Sequence, residues 1–244
     1  MKVVAITQAR TTSTRLPGQI LKTVLGRTLL DWHVSRVARA QLVDQVVVAT
    51  TTNPADDVIC DHARALGAAI FRGPEDDVLA RYAGAAQQFD ADVVVRVTSD
   101  CPLIDPAVID ETIRVFLAAQ PPADYGCNRL PQTYPRGMDT EVIASDTLRE
   151  ADRLARDPQD REHVTLFTWR QPDRDRIVNA AYHSDQSRHR GTVDTPEDLD
   201  LISKILTGVA PDHPHFTLED CLALLARDPA LEAINRHIEQ KKVL

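Results

Sequence analysis

Apolar and polar residues along this chain follow two periods in turn. Val3–Ile6 is a short apolar run, Gln45–Thr51 (QVVVATT) and Asp92–Thr98 (DVVVRVT) are β-branched, and Ala69–Phe71 is briefer. Apolar runs of this length, bounded by polar residues, predict strands buried on both faces. Leu29–Ala40, Asp56–Leu66 and Asp77–Phe89 instead carry their apolar residues at helical spacing. Residues 106–119 form another predicted helix, starting at Pro106 behind Asp105, a cap followed by proline in the first turn. Strand and helix in alternation predict an α/β fold, a mostly parallel sheet covered on both faces.

The middle of the chain is less regular. Residues 121–143 carry prolines and aromatics before a strand-like TEVI, 145–170 read as helical, and Arg176–Tyr182 reads as a strand. Thr192–Asp194 is expected to be a short strand leading into a capped helix, TPEDLDLISKIL, and two more helices are expected from 217 onward. With no repeat, low-complexity tract or linker, the expectation is a single domain over 1–244. It would hold an inserted subregion at 121–185 and a helical tail at 217–244.

Charge and cysteine content narrow the function classes. No apolar run approaches the roughly 20 residues of a membrane-spanning helix, and MKVVAITQAR does not read as a secretory signal. The four cysteines form no CxxC pair and read as free thiols of a reducing compartment, so a cytoplasmic location is expected. A net charge of −8 argues against non-specific nucleic-acid binding. That charge is uneven: residues 1–39 hold seven Lys/Arg and one Asp, leaving the remainder strongly acidic. A local cation excess in an acidic protein suggests a small, highly charged anion as ligand. Arg27, Arg36 and Arg39 are expected on a solvated helix face, whereas Arg10, Arg15 and Lys22 surround the loop that leaves the first strand.

In open parallel sheets ligands bind at the carboxyl ends of strands. The first strand ends in ITQARTTSTRLPGQILK, DVVVRVT ends in SDCPLID with Asp100 at its mouth, and TV ends at Asp194. Two carboxylates at neighbouring strand ends repel unless a divalent cation lies between them, and hard oxygen ligands suit Mg²⁺. Arginine and lysine nearby would clamp the phosphates sharing that metal. Asp100 and Asp194 could equally cap the segments that follow them. Neither a Walker GxxxxGK[ST] nor a GxGxxG motif occurs.

QARTTSTRLPGQIL resembles the N-terminal signature of the cytidylyltransferases that activate acidic sugars, the 3-deoxy-manno-octulosonate (KDO) and acylneuraminate enzymes. GTVDTPEDLDL is similar to their second signature. FRGPEDDVLARY, VVRVTSDCPLIDP, YPRGMDTEV and REHVT resemble the spore coat polysaccharide protein SpsF branch, in order over residues 3 to about 200. The resemblance implies a Rossmann-like α/β/α sandwich of the nucleotide-diphospho-sugar transferase type. It also implies CMP transfer from CTP to an acidic sugar, and a homodimer built through the irregular middle segment. Position by position, it implies that Arg10, Ser13 and Arg15 hold the triphosphate and that Asp100 and Asp194 bind Mg²⁺. Arg72 would contact the cytosine base.

The family's PGK lysine is Gln19 here, and Lys22, three residues on, could replace it if the segment turns helically. Arg136, Asp139 and Glu141 in YPRGMDTEV, with Arg161 and His163 in REHVT, are candidates for holding the acceptor. A glycosyltransferase with a nucleotide-sugar donor is the main alternative, although such sites present a DxD pair where this chain has SDCPL. A nucleotide-binding protein without catalysis is a second alternative, suggested by Gln19.

Overall fold

Buried valine runs set the frame. In the computed structural model, which describes residues 1–12 and 16–239, strand β1 (Val3–Gln8) is buried almost throughout. A two-residue turn at Leu25 (φ 52°) and Gly26 (φ 73°) joins the small hairpin β2 (Thr23–Val24) and β3 (Arg27–Thr28). Positive φ at both turn residues matches the twist of a tight hairpin. Helix α1 (Leu29–Val37) follows, opened by a Thr28–Asp31 capping box. Then come β4 (Gln45–Thr51), α2 (Asp57–Ala65), β5 (Ala69–Gly73), α3 (Val78–Gln88), β6 (Val93–Thr98) and α4 (Pro106–Ala118).

The second half adds β7 (Tyr125–Cys127), β8 (Glu141–Ala144), α5 (Ser145–Leu154), α6 (Pro158–His163), α7 (Leu166–Trp169) and β9 (Ile177–Asn179). Helices α8 (Pro196–Val209), α9 (Leu218–Arg227) and α10 (Pro229–Ala233) complete the described elements. The seven-stranded sheet has the order β5-β4-β1-β6-β8-β7-β9. From β5 to β6 all neighbours are parallel, while β8 runs antiparallel to β6 and β7. The expected mostly parallel α/β architecture is present.

Alternation along β1 explains why both faces are covered. Val4 and Ile6 join Val47, Val94, Tyr82 and Ile143 in one core, whereas Val3 and Ala5 join Val95, Ile109 and Phe116 in another. A third core sets Trp32 and Phe216 against α8 and α9, tying the C-terminal helices to α1.

Several local expectations change. Thr192–Asp194 does not enter the sheet; β9 is its terminal strand, and the Val193 N–H donates instead to the Asp100 carbonyl at 2.9 Å. The stretch 145–170 divides into three helices. Ala155 turns extended, Pro158 restarts the chain as α6, and Val164 at φ 60° separates α6 from α7. The hairpin β2–β3 and strand β7 lie where no periodic signal existed. Arg36 is not on a solvated face: only 2 % exposed, it donates to the Ile104 and Phe216 carbonyls at 2.7 and 3.1 Å. Its guanidinium lies over the Phe216 ring, so the charge pins α1 to the helices behind it.

Glu141 at the start of β8 is fully committed. It pairs with Arg96 on β6 and accepts hydrogen bonds from the Tyr125 and Thr165 hydroxyls, both at 2.5 Å. Burial alone would raise its carboxyl, but Arg96, Arg129 and the two hydroxyls outweigh burial and hold it at about 2. Because the folded-state value is depressed, the stabilisation is complete above pH 4.5 and is lost as pH falls from 4.5 towards 2. Glu141→Gln is expected to cost about 3–5 kcal/mol, since it leaves Arg96 buried without a counter-charge. It should also flatten the stability profile in that acid window; urea titrations from pH 6 to 2 check both effects.

Candidate active site

A cleft of about 560 Å³ opens at the carboxyl ends of the parallel strands. The exit of β1 supplies Gln8, Ala9 and Arg10, and the exit of β6 supplies Thr98, Ser99 and Asp100. Glu75, Asp76 and Arg81 come from the β5–α3 connection and α3, Glu162 from α6, and Asp194 from the segment before α8. Arg10, Asp100 and Asp194, from three distant parts of the chain, therefore meet.

How Asp100 is held follows from its neighbours. β6 ends at Thr98, and the next turn is fixed through His33, a wholly buried side chain of α1. His33 Nδ1–H donates to the Cys101 carbonyl and Nε2 accepts from the Thr7 hydroxyl, each at 2.9 Å. Burial, only partly offset by the Cys101 carbonyl, lowers this imidazole to about 4 and keeps it neutral at physiological pH. The Asp100 carbonyl receives the Val193 N–H, which brings the strand end of β6 against the segment carrying Asp194.

Asp194 is 8 % exposed and accepts from Arg190 at 2.7 Å. The same guanidinium contacts Asp198 at 3.0 and 3.1 Å, and Asn235 donates to Asp198 at 2.8 Å. Neither candidate carboxylate is a helix cap: Asp105 caps α4, and Thr195 caps α8 through a capping box with Asp198. With capping done by others, the two aspartates are left to face the cleft.

The described lining carries two cations, Arg10 and Arg81, against five carboxylates: Glu75, Asp76, Asp100, Glu162 and Asp194. Such a surface repels a polyphosphate unless a divalent cation joins it. Oxygen donors at Asp100 and Asp194 fit Mg²⁺. Among the described residues no group of three His, Cys, Asp or Glu could hold a metal.

The other sequence candidates have diverse placements. Ser13 and Arg15 lie outside the described residues. Gln19 lines the cleft on a 3₁₀ turn (Gln19–Leu21); Lys22 closes that turn in extended conformation and is not among the lining residues. Arg72 donates to the Thr51 and Asn53 carbonyls and to Asp57, at 2.8, 2.9 and 2.6 Å. Arg161 grips Asp77 and Asp152, bracing the start of α3 against α5. His163 ends α6, whose Glu162 faces the cleft. Arg136 pairs with Asp139 at 3.5 Å and lines a separate cavity of about 320 Å³ beside α8 and α9. Beside it, Gly137 (φ +95°) is obligatory, because a Cβ there would lie 2.7 Å from the Gly191 backbone.

The sequence pattern of the cytidylyltransferase family spans residues 4–220. The chain belongs to the cytidylyltransferase family. Family membership makes it a CTP-using nucleotidyltransferase. It is 32 % identical to the spore coat polysaccharide biosynthesis protein SpsF of Bacillus subtilis, over 93 % of this chain and 95 % of that protein. A shorter stretch, 48 % of this chain and 46 % of the relative, is 38 % identical to the 3-deoxy-manno-octulosonate cytidylyltransferase of Geobacter metallireducens. A cytidylyltransferase structure from Leptospira borgpetersenii superposes with TM-score 0.90 at 30 % identity, covering 100 % of this chain and 99 % of that one. CMP:2-keto-3-deoxy-manno-octonic acid synthetase, solved in complex with CTP, shares the fold at TM-score 0.63 and 18 % identity, over 85 % and 99 %.

Sequence reasoning missed His33, Arg81 and Arg190 in this cytidylyltransferase. Arg81 had a signal, a charged residue between Leu79 and Tyr82 on the inward stripe of α3; the other two look like ordinary helix and loop positions. Because Gln19 rather than Lys22 lines the cleft, Gln19→Lys adds a cation where the lining lacks one. A charge-assisted contact is worth about 1.5–3 kcal/mol, so turnover should rise roughly 10- to 100-fold. Unchanged steady-state turnover would mean that the charge is already supplied.

Proposed function

We propose that this cytidylyltransferase transfers CMP from CTP to an acidic sugar, or a related acidic acceptor, for surface polysaccharide synthesis. The convergence of Arg10, Asp100 and Asp194 on one cleft carries this reading. An acceptor hydroxyl oxygen forms a bond to the α-phosphorus, the bond to the bridging oxygen breaks, and pyrophosphate departs with those electrons. The hydroxyl proton leaves to solvent. Arg10, with Ser13 and Arg15 of the same basic segment, is assigned to the triphosphate, while Lys22 stands outside the cleft lining. Asp100 and Asp194 would hold Mg²⁺, which when bound neutralises phosphate charge and polarises the reacting phosphoryl group.

The chain's own contribution is position. His33 and the Val193 N–H fix the backbone of the Asp100 turn, and Arg190 holds the Asp194 carboxylate before substrate arrives. Acceptor recognition is assigned to His163 on α6, beside the cleft-lining Glu162, and to Arg136 and Asp139, whose segment lines the separate cavity beside α8 and α9. Arg72, Glu141 and Arg161 support it by holding the elements around the cleft. A homodimer through residues 121–185, in the cytoplasm, belongs to the same proposal; the half-buried edge strand β9 falls within that segment. Among the described residues, no helix is long and apolar enough to cross a membrane.

Pyrophosphate release measured with each of the four nucleoside triphosphates and a panel of acidic sugars tests this function. Release should require CTP, Mg²⁺ and an acceptor together. Asp100→Asn and Asp194→Asn should each lower it at least about 100-fold, the loss expected for an interaction made in the transition state. Release without acceptor, or near-normal rates in either variant, would contradict the assignment.

A further inference from the structure

Two carboxylates of the described chain are wholly enclosed, Asp198 and Asp56. Asp198 answers the Arg190 guanidinium, whereas Asp56 accepts from hydroxyls and a backbone N–H. Asp56 stands directly before α2, in the N-cap position, yet its side chain makes no capping bond. The carboxylate reaches instead to the segment leaving β1, 45 residues away in the chain. There its Oδ1 accepts the Thr11 N–H at 2.8 Å and the Thr11 hydroxyl at 2.7 Å, while Oδ2 accepts the Thr51 hydroxyl at 2.5 Å. Enclosing a carboxylate is costly unless its oxygens are occupied, and here both are. Burial raises the Asp56 carboxyl, but the Thr51 and Thr11 donors outweigh it and hold it below its ordinary value, so the charge is kept.

The turn that carries Asp56 is itself braced. Thr51, the last residue of β4, also accepts the Asn53 N–H at 3.1 Å. Asn53 then caps the 3₁₀ turn Pro54–Asp56, its Oδ1 accepting the Ala55 N–H at 3.0 Å. Arg72 on the neighbouring strand β5 donates to the Thr51 and Asn53 carbonyls. These bonds set Asp56 in place without Thr11, so the contact between the two orders the segment around Thr11. That segment matters to the cleft. Thr11 follows the lining residue Arg10, and its carbonyl accepts the Gly18 N–H at 3.1 Å. Residues 11 and 18 are thus two joined feet, and the sequence between them contains Ser13 and Arg15. Asp56 pins one foot. With no accessible surface it touches no ligand, and a carboxylate near phosphates is of itself unfavourable. What it supplies is geometry.

Resting on the assignment of Arg10, Ser13 and Arg15 to the triphosphate, we infer that Asp56 is a positioning residue for the nucleotide's phosphates. Through Thr11 it holds their binding segment in place before ligand arrives, and it leaves recognition of the nucleoside untouched.

Calorimetric titration of the full-length chain with CTP and with CMP, in Mg²⁺, tests this for wild type, Asp56→Asn, Thr11→Val and Thr11→Ser. Thr11→Val deletes the hydroxyl donor and leaves Asp56 in place, so it reports even if Asp56→Asn does not fold. Wild type should bind CTP at least about 10-fold more tightly than CMP, through the added charge-assisted contacts. Asp56→Asn and Thr11→Val should each weaken CTP about 10-fold, the worth of a hydrogen bond to a charged group, and CMP by less than about 3-fold. Thr11→Ser, which keeps the donor, should restore wild-type binding of both. Undiminished CTP affinity in Thr11→Val or in folded Asp56→Asn overturns the inference, as does equal weakening of CTP and CMP, the mark of a merely structural role. A wild-type chain that binds CTP no more tightly than CMP overturns instead the triphosphate assignment beneath it.

Discussion

Bringing Asp100 and Asp194 to one cleft is the constraint on which the candidate site depends. Asp100 and Asp194 are far apart in the sequence, and nothing favours their meeting until other interactions enforce it. Two do so. The Val193 N–H binds the Asp100 carbonyl, and Arg190 neutralises Asp194 while Asp198 and Asn235 hold Arg190 in turn. Burial would raise the Asp198 carboxyl, but Arg190, Asn235 and backbone N–H donors keep it ionised. The site thus rests on a buried ion cluster whose geometry is set before any ligand binds, which is what positioning catalysis requires.

The same logic recurs behind the cleft. Arg36 ties α1 to the C-terminal helices, and Glu141 ties β8 to β6, β7 and the turn after α6. Each places a charge in the interior and surrounds it with carbonyls, hydroxyls or an opposite charge. Replacing one partner of such a cluster is far more harmful than the net worth of the pair, so these residues bear on the site without touching substrate.

Much of this was legible in the sequence. Three β-branched or apolar runs marked β1, β4 and β6, because strands buried on both faces leave no room for polar alternation. Asp100 was legible through its place just past the end of β6. The short stretch Thr192–Asp194 misled, since two β-branched residues satisfy a strand pattern yet can serve as well in an extended connector held by one backbone bond. Arg36 misled because a cation on an amphipathic helix usually reaches water, and only tertiary structure shows carbonyls waiting for it. Arg81 was hidden by the same ambiguity, and His33 by being an ordinary interior helix residue in sequence.

The central claim is that Asp100 and Asp194 supply an incomplete cation site that a nucleotide finishes. Paramagnetic resonance of Mn²⁺ titrated into the protein, with and without CTP, measures this directly. Weak uptake by the free chain and tight uptake only with CTP, abolished when both aspartates become asparagine, is the expected result. Tight Mn²⁺ binding without nucleotide, or binding that survives the double substitution, would contradict it.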